Sequence, residues 1–287
     1  MRVAVLGAGG MLGHDLVATA PPDVEVLPFR HADLDITDPA AVKRLFAEHH
    51  PDVVINAAAY TAVDKAEEEP EIAERVNGWA PGVLGEAAKR AGSRVIHFST
   101  DYVFDGTANE PYAEDAPTNP INKYGASKLM GEKALQASGA EALIIRTQWL
   151  FGMHGRSFPR TMWERAKARQ PTRVVNDQMG KPTYTIDLAG VTWALLIHRQ
   201  ATLFDIQRLH LANAGRATWY EVAERVFSHA RSASLLSPIA SSDYAMRAPR
   251  PLRSVLDTSR FTSVTDRRFP EWGSGLKRFV HALTKTE

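Results

Sequence analysis

Short apolar runs alternate with longer helical stretches over the first half of this 287-residue chain. The apolar runs predict strands at residues 2–6, 24–29, 52–56, 94–100 and 142–147. The stretches between them predict helices near residues 11–20, 39–49, 71–91 and 123–138. Strands that are apolar on both faces and separated by helices are typical of a parallel sheet covered by helices on both sides. The sequence therefore predicts an α/β fold with a doubly wound parallel sheet.

A glycine-rich turn follows the first predicted strand and opens the first predicted helix. In the run G-A-G-G-M-L-G, Gly7, Gly10 and Gly13 recur at every third position. Glycine allows the tight turn, lets backbone N–H groups approach a pyrophosphate, and lets the helix pack closely on the strand. In this position the motif predicts dinucleotide binding and a Rossmann-type sheet.

The residue after the second predicted strand bears on the choice of dinucleotide. An NAD site usually has an acidic residue there, which holds the ribose 2′-hydroxyl. Here Arg30 follows Phe29, and an arginine suits a 2′-phosphate, so NADPH is the predicted cofactor. Asp33 and Asp35 follow closely and leave NADH as the alternative.

Beyond Thr147 the pattern loosens, and Pro, Gly and Arg become frequent. The remaining elements are predicted as strands near 172–176 and 209–213 and as helices near 185–199, 218–230 and after Pro270. We predict a dinucleotide-binding Rossmann domain at residues 1–148, with the helix near 185–199 packing back on it. Residues 149–287 are predicted to form mainly a smaller, partly interleaved C-terminal substrate lobe.

Composition narrows the classes of partner. The 34 Lys and Arg nearly balance the 33 Asp and Glu, so no global positive field favours nucleic acid or an anionic membrane. The chain has no cysteine, which excludes disulfides, thiolate metal sites and cysteine nucleophiles. No signal-peptide pattern and no apolar run of membrane-spanning length is seen, so a cytoplasmic protein is expected.

Three polar side chains are predicted to meet at one edge of the sheet. Ser99 and Thr100 end the fourth strand, at the edge where open α/β sheets bind ligands. Tyr124 and Lys128 lie one helical turn apart on the next helix and share a face. In this interpretation Lys128 lowers the pKa of Tyr124, the phenol protonates a carbonyl oxygen as hydride arrives, and Thr100 holds that oxygen. Gly125 fits a close backbone approach at this turn.

These residues resemble the extended short-chain dehydrogenase/reductase superfamily and, within it, the dTDP-4-dehydrorhamnose reductase family. The resemblance covers nearly the whole chain. It rests on G-A-G-G-M-L-G from residue 7, D-L-D-I-T-D from 33, N-A-A-A-Y-T-A-V-D-K-A-E from 56, S-T-D-Y-V-F-D-G from 99, Y-G-A-S-K from 124, R-T-Q-W from 146, D-Q-M-G-K-P-T from 177 and R-P-L-R-S-V-L-D from 250.

The resemblance implies reduction of the 4-keto group of a dTDP-6-deoxy-4-keto-hexose to give dTDP-L-rhamnose, a precursor of cell-surface glycans. By the same resemblance, the catalytic residues are Thr100, Tyr124 and Lys128. Tyr124 and Lys128 are also expected to contact the cofactor. The other cofactor-binding positions are Gly7, Gly10, Met11, Leu12, Gly13, Arg30, Asp35, Ile36, Ala58, Ala59 and Tyr60. The substrate-binding positions are Thr100, Asp101, Trp149 and Arg250. Arg247 and Arg253 join Arg250 as candidates to neutralise the nucleotide diphosphate.

Several alternatives stay open. Sugar-nucleotide dehydratases carry Asp-Glu after the threonine, whereas this chain has Asp101 followed by Tyr102, so reduction is favoured over elimination. A non-catalytic NADP-binding regulatory subunit and a dihydrostreptose-type reductase remain as other readings. Asp15 and Asp187 are candidate ligands for a subunit-bridging magnesium, but two carboxylates do not make a cage, so no metal is predicted. The chain is expected to be a monomer or homodimer.

Overall fold

The computed structural model describes residues 1–199 and 202–286. The strands are β1 (Arg2–Leu6), β2 (Glu25–Phe29), β3 (Val53–Asn56), β4 (Arg94–Thr100), β5 (Ala142–Thr147), β6 (Leu150–Phe151), β7 (Thr172–Val175), β8 (Met179–Gly180), β9 (Thr183–Tyr184), β10 (Arg208–His210), β11 (Ala217–Thr218) and β12 (Leu236–Ile239). The main sheet has six parallel strands in the order β2-β1-β3-β4-β5-β10. The predicted α/β fold with a parallel Rossmann-type sheet is confirmed.

Helices cover both faces of the sheet, and their caps follow the sequence. Asp38 caps the second helix by accepting from the Ala40 N–H at 2.9 Å, as the Asp-Pro signal predicts. The helices are α1 (Met11–Ala18), α2 (Pro39–His49), α3 (Val63–Ala66), α4 (Pro70–Ala73), α5 (Ala80–Ala91), α6 (Lys123–Ala137), α7 (Phe158–Lys167), α8 (Thr185–His198), α9 (Trp219–His229), α10 (Ser259–Thr265) and α11 (Trp272–Thr286).

The helix predicted near 71–91 is continuous from α4 to α5 but contains a π-helical stretch at Glu74–Trp79. Pro81 follows this stretch in the first turn of α5. Proline has no N–H for the helical ladder and its ring crowds the preceding turn, so a wider turn accommodates it.

Two elements from the second half of the chain, one strand and one helix, pack with the main sheet and its helices. β10 pairs with β5 as the sixth strand, and α8 packs on α1, where the Trp193 indole N–H donates to the Leu16 carbonyl at 2.9 Å. A separate apolar core surrounds Phe151, Phe227 and Phe279 and joins α7, α9 and α11. No helix in residues 1–199 or 202–286 is long and apolar enough to cross a membrane.

Candidate active site

The glycine loop is shaped as a dinucleotide cradle requires. Gly7 has a φ of +77°, and a Cβ there would lie 2.7 Å from the Ala58 backbone nitrogen. A Cβ on Gly13 would lie 2.0 Å from the Gly7 carbonyl oxygen. Positions 7 and 13 therefore have no room for a side chain, and Gly7 lies against the backbone of Ala57 and Ala58. A close backbone approach of this kind is what a pyrophosphate-binding turn requires.

Arg30 lies beside this loop, and Asp35 follows five residues later in the segment after β2. A Cβ on Gly9 would be 3.5 Å from the Arg30 Cγ, so the exposed arginine side chain runs along the loop. Hydrogen bonds from the backbone N–H and hydroxyl of Thr37, together with nearby positive charge from His31 and Arg75, lower the pKa of Asp35. One cation and one anion thus stand where the end of β2 meets the cofactor cradle.

Thr100, Tyr124 and Lys128 come together at the carboxyl edge of the sheet. Thr100 ends β4, and its hydroxyl lies near enough to the phenol of Tyr124, in the first turn of α6, to lower the pKa of that phenol. The helix begins there because the Asn122 side chain accepts from the Gly125 N–H at 2.7 Å. A Cβ on Gly125 would lie 2.1 Å from the Tyr102 carbonyl oxygen, so the predicted close backbone approach is confirmed.

Lys128 lies one turn further along α6 and is buried, with 2% of its surface exposed. Its ammonium donates to the Phe98 carbonyl at 2.6 Å and lies 3.4 Å from the His97 ring nitrogen Nε2. Burial lowers the pKa of Lys128 to about 8, and the Glu132 carboxylate opposes that shift. A pKa near 8 leaves roughly nine in ten of these lysines charged at pH 7.

The pKa of Tyr124 differs from the sequence-based expectation. Burial raises it to about 12, while the hydrogen bond with Thr100 lowers it and the charge of Asp101 raises it. The prediction that Lys128 lowers the pKa of Tyr124 is wrong for this structure. The ammonium is held against the β4 backbone, and desolvation of the phenol dominates the pKa. The phenol is therefore fully protonated at neutral pH, which is the state a proton donor needs.

Comparisons with known proteins agree with this geometry. The family model described as the RmlD substrate binding domain matches residues 1–285. A dTDP-4-dehydrorhamnose reductase of Burkholderia thailandensis is 39% identical, over 95% of each chain. The chain belongs to the dTDP-4-dehydrorhamnose reductase family. The resemblance predicted from the motifs is confirmed, and with it membership in a family of NADP-dependent oxidoreductases.

Two further relatives of this reductase family bear on function. A probable dTDP-4,6-dihydroxy-2-methyloxan-3-one 4-ketoreductase of Streptomyces antibioticus is 42% identical, over 96% of this chain and 94% of that one. A crystal structure of dTDP-4-dehydrorhamnose reductase from Bacillus anthracis in complex with NADP has a TM-score of 0.92. It is 35% identical and covers 98% of this chain and 99% of that one.

In this member of the reductase family, Asp101 is tied to the C-terminal motif. The Ser254 hydroxyl donates to one of its carboxylate oxygens, and the Thr100 hydroxyl donates to the other at 3.1 Å. Burial raises the pKa of Asp101 to about 7, and these two hydrogen bonds oppose the shift. Gln148 donates to the Ser254 carbonyl at 2.8 Å and accepts from the Lys181 N–H at 2.9 Å.

Trp149 is held by stacking and close packing. Its ring stacks on Trp219 with 3.6 Å between centroids, and a Cβ on Gly180 would lie 2.5 Å from the ring atom Cε2. Its backbone adopts a φ of +49°, which is unusual for a bulky residue. One face of the indole is therefore covered by Trp219. Trp219 and Gly180 were missed from the sequence, although Gly180 lies within the D-Q-M-G-K-P-T motif.

The three arginines considered for a diphosphate each have a partner. Arg250 donates to the Asp64 carboxylate at 2.9 Å and to the Ala248 carbonyl at 2.8 Å. Arg247 is paired with Glu68, and Arg253 donates to the Asn109 side-chain oxygen at 2.8 Å. Arg250 is half-enclosed beside Tyr102, and its charge lowers the pKa of that phenol against the dominant effect of burial.

The two carboxylates considered for magnesium are also engaged. Asp187 accepts from both terminal nitrogens of Arg278, at 2.8 and 2.7 Å, and from the Asn213 side chain at 2.8 Å. Asp15 accepts from the Thr185 hydroxyl. A carboxylate neutralised by arginine is a poor ligand for a hard dication, so magnesium at this pair is not supported.

Proposed function

We propose that the protein reduces the 4-keto group of dTDP-4-dehydro-L-rhamnose to give dTDP-L-rhamnose, using NADPH. The observation that carries the proposal is the convergence of the Thr100 hydroxyl at the end of β4, the Tyr124 phenol at the start of α6 and the buried Lys128 ammonium one helical turn further on, beside the glycine cradle. The substrate class follows from the names of the relatives, two of which are dTDP-4-dehydrorhamnose reductases.

Tyr124 would act as the proton donor. The bound nicotinamide, when reduced, supplies the hydride to the carbonyl carbon. The phenol O–H bond breaks as the new O–H bond forms on the substrate oxygen, and the phenol is left as phenolate. Burial makes that phenolate costly, so stabilisation is needed from the Thr100 hydroxyl, and Lys128 would contribute through the ribose hydroxyls of the bound dinucleotide. Thr100 would also hold the carbonyl oxygen in line.

The test is direct. The keto-sugar nucleotide is supplied, NADPH absorbance is followed, and the assay is repeated with Tyr124→Phe. We expect kcat to fall at least about 100-fold, the usual contribution of a positioned acid. Tyr244→Phe, an exposed phenol far along the chain, is the matched control and should leave the rate unchanged. An unaltered rate in Tyr124→Phe would remove this residue as the acid.

We also propose that Arg30 contacts the 2′-phosphate of NADPH. Its side chain lies along the glycine loop, and a relative of this family has been crystallised with NADP. A charge-assisted contact is worth about 1.5–3 kcal/mol, so Arg30→Ala should reduce the preference for NADPH over NADH by roughly 10- to 100-fold. Arg90→Ala, which removes an exposed cation from α5, is the control. A preference that survives Arg30→Ala would contradict this role.

A second candidate is the reduction of a related dTDP-keto-sugar, because the 42% identical relative from Streptomyces antibioticus is named for a different substrate. Comparing kcat/KM for dTDP-4-dehydro-L-rhamnose and for dTDP-4,6-dihydroxy-2-methyloxan-3-one distinguishes the two. NADPH binding without turnover of either sugar nucleotide would instead favour the non-catalytic regulatory role.

The proposal also assigns a different ligand to each part of the chain. Residues 1–148 would bind the dinucleotide and residues 149–287 mainly the sugar nucleotide. The packing of α8 on α1 and the pairing of β10 with β5 support a partly interleaved arrangement. A cytoplasmic location and a monomeric or homodimeric state remain predictions.

A further inference from the structure

Three potential metal ligands converge beside the first helix, outside the catalytic residues. His14 and Asp15 lie on α1, and His154 lies in the loop after β6. One ligand atom from each lies within 4.8 Å of the others. The two imidazole rings are stacked with 3.2 Å between centroids, and the His14 Nδ1 lies 3.6 Å from an Asp15 carboxylate oxygen.

An unpaired nitrogen points to a missing partner. The His14 Nδ1 is buried and has no hydrogen-bond partner among residues 1–199 and 202–286. A buried polar atom left without a partner costs about 1–3 kcal/mol and calls for an explanation. Asp15 is 4% exposed, and its Oδ2 accepts from Thr185 while the Oδ1 faces the imidazole. A cation between these groups would satisfy the nitrogen and neutralise the buried carboxylate.

We propose that His14, Asp15 and His154 bind one divalent transition-metal ion of the zinc class. Two imidazole nitrogens and one carboxylate oxygen are a borderline-soft donor set that suits zinc, nickel or copper, whereas magnesium and calcium prefer oxygen alone. Three protein ligands leave a fourth position for water. Asp187 is not part of this site, because Arg278 and Asn213 hold its carboxylate. The proposal is independent of the reduction proposed above.

The ion would join the loop after β6 to the helix that carries the cofactor cradle. The loop already lies close to the helix, since a Cβ on Gly152 would be 3.1 Å from the Met11 Cγ and 3.4 Å from the Asp15 Oδ2. Coordination requires the two rings to turn out of their stack so that both nitrogens point at the ion. The metal would therefore restrain Met11 and the start of α1, where the dinucleotide is proposed to bind.

Calorimetric titration of chelator-treated protein with zinc chloride tests the site. We expect one ion per chain, and affinity at least 10-fold lower in His154→Ala and in Asp15→Asn. The asparagine keeps an oxygen for the Thr185 hydroxyl, so it removes the charge and spares that hydrogen bond. His229→Ala, on exposed surface at the end of α9, is the control and should bind as the wild type does.

Two further measurements distinguish a specific metal site from misfolding of a variant and from weak binding by two neighbouring imidazoles. Zinc should raise the thermal midpoint of the wild type and leave that of the His14→Ala/His154→Ala double variant unchanged. Cobalt should give an intense visible absorption band of tetrahedral type in the wild type alone. Equal zinc affinity in the wild type and the double variant would overturn the proposal. Undiminished affinity in Asp15→Asn would exclude the three-ligand site.

Discussion

Replacing Glu132 by Gln tests the support beneath the catalytic helix. Glu132 and Arg146 are 1% and 0% exposed, and the guanidinium donates to both carboxylate oxygens, at 2.9 and 2.6 Å. The Ser99 hydroxyl donates to the same carboxylate at 2.5 Å. This pair lies between α6, which carries Tyr124, and the neighbouring strands β4 and β5. Gln has nearly the same shape as Glu, so the variant removes the charge without opening a cavity.

The expected loss is large because the partner stays behind. Breaking a buried ion pair by neutralising one member costs about 3–5 kcal/mol, since the remaining charge is left desolvated. In Glu132→Gln the amide NH2 also faces guanidinium donors and replaces an oxygen that accepts from them. A loss of this size is a large fraction of the roughly 5–15 kcal/mol that stabilises a typical protein. The same change at Glu86, paired with Arg90 on exposed surface, should cost less than about 1 kcal/mol.

Urea unfolding of the wild type, Glu132→Gln and Glu86→Gln measures the three free energies of unfolding. The activity profile supplies a second readout, because Glu132 raises the pKa of Lys128 against the effect of burial. Without the carboxylate that pKa falls further, so the loss of activity as pH rises through the lysine pKa should begin at lower pH. Equal stability of the two variants, or a loss below about 1 kcal/mol at position 132, would refute the reasoning.

Three further outcomes are expected. Gly125→Ala should destabilise the fold by more than about 1 kcal/mol, because the new Cβ clashes with the Tyr102 carbonyl oxygen. Gly190→Ala on α8 has open space around its Cβ and should stabilise the fold by about 0.5–1 kcal/mol. Thermal unfolding measures both. Because burial raises the pKa of Asp101 above its unfolded value, protonation favours folding, and the stability of the wild type relative to Asp101→Asn should fall by up to about 1.4 kcal/mol per pH unit between roughly pH 4 and 7. A difference in urea midpoint that is constant with pH would contradict this. Gly180→Ala should push the ring of Trp149 aside and raise KM for the sugar nucleotide severalfold without changing KM for NADPH.

The sheet was predictable because its strands are apolar on both faces and bounded by turns. Each of the five strands predicted in the first half matches an observed strand within one residue at either end. The place of β10 was not predictable in the same way. Its three residues were predicted as part of a strand. The edge of the sheet that they join depends on strand register and on the packing of distant helices, and a local sequence pattern predicts neither.

The reactive side chains were predictable, whereas their protonation was not. Residues 100, 124 and 128 converge because strand ends and helix starts meet at one sheet edge, a geometric rule that applies from the sequence. The pKa of Tyr124 depends on where the Lys128 ammonium points, and that is set by the Phe98 carbonyl and the His97 ring. Desolvation of the phenol depends on how the whole molecule packs around it, so the pKa of Tyr124 cannot be predicted from the spacing of residues in the sequence.

The family motifs far from the catalytic residues reach them through hydrogen bonds of the Ser254 and Gln148 side chains. The hydroxyl of Ser254 reaches the carboxylate of Asp101 next to the strand end, and Gln148 joins the Ser254 carbonyl to the segment that contains Gly180. The same segment supports the ring of Trp149. A shift of the segment around Ser254 relative to the sheet would therefore move the proposed sugar contact Trp149 and the hydrogen-bond partner of Thr100 together. Because one network holds both, changes at position 254 should alter kcat and KM for the sugar nucleotide jointly.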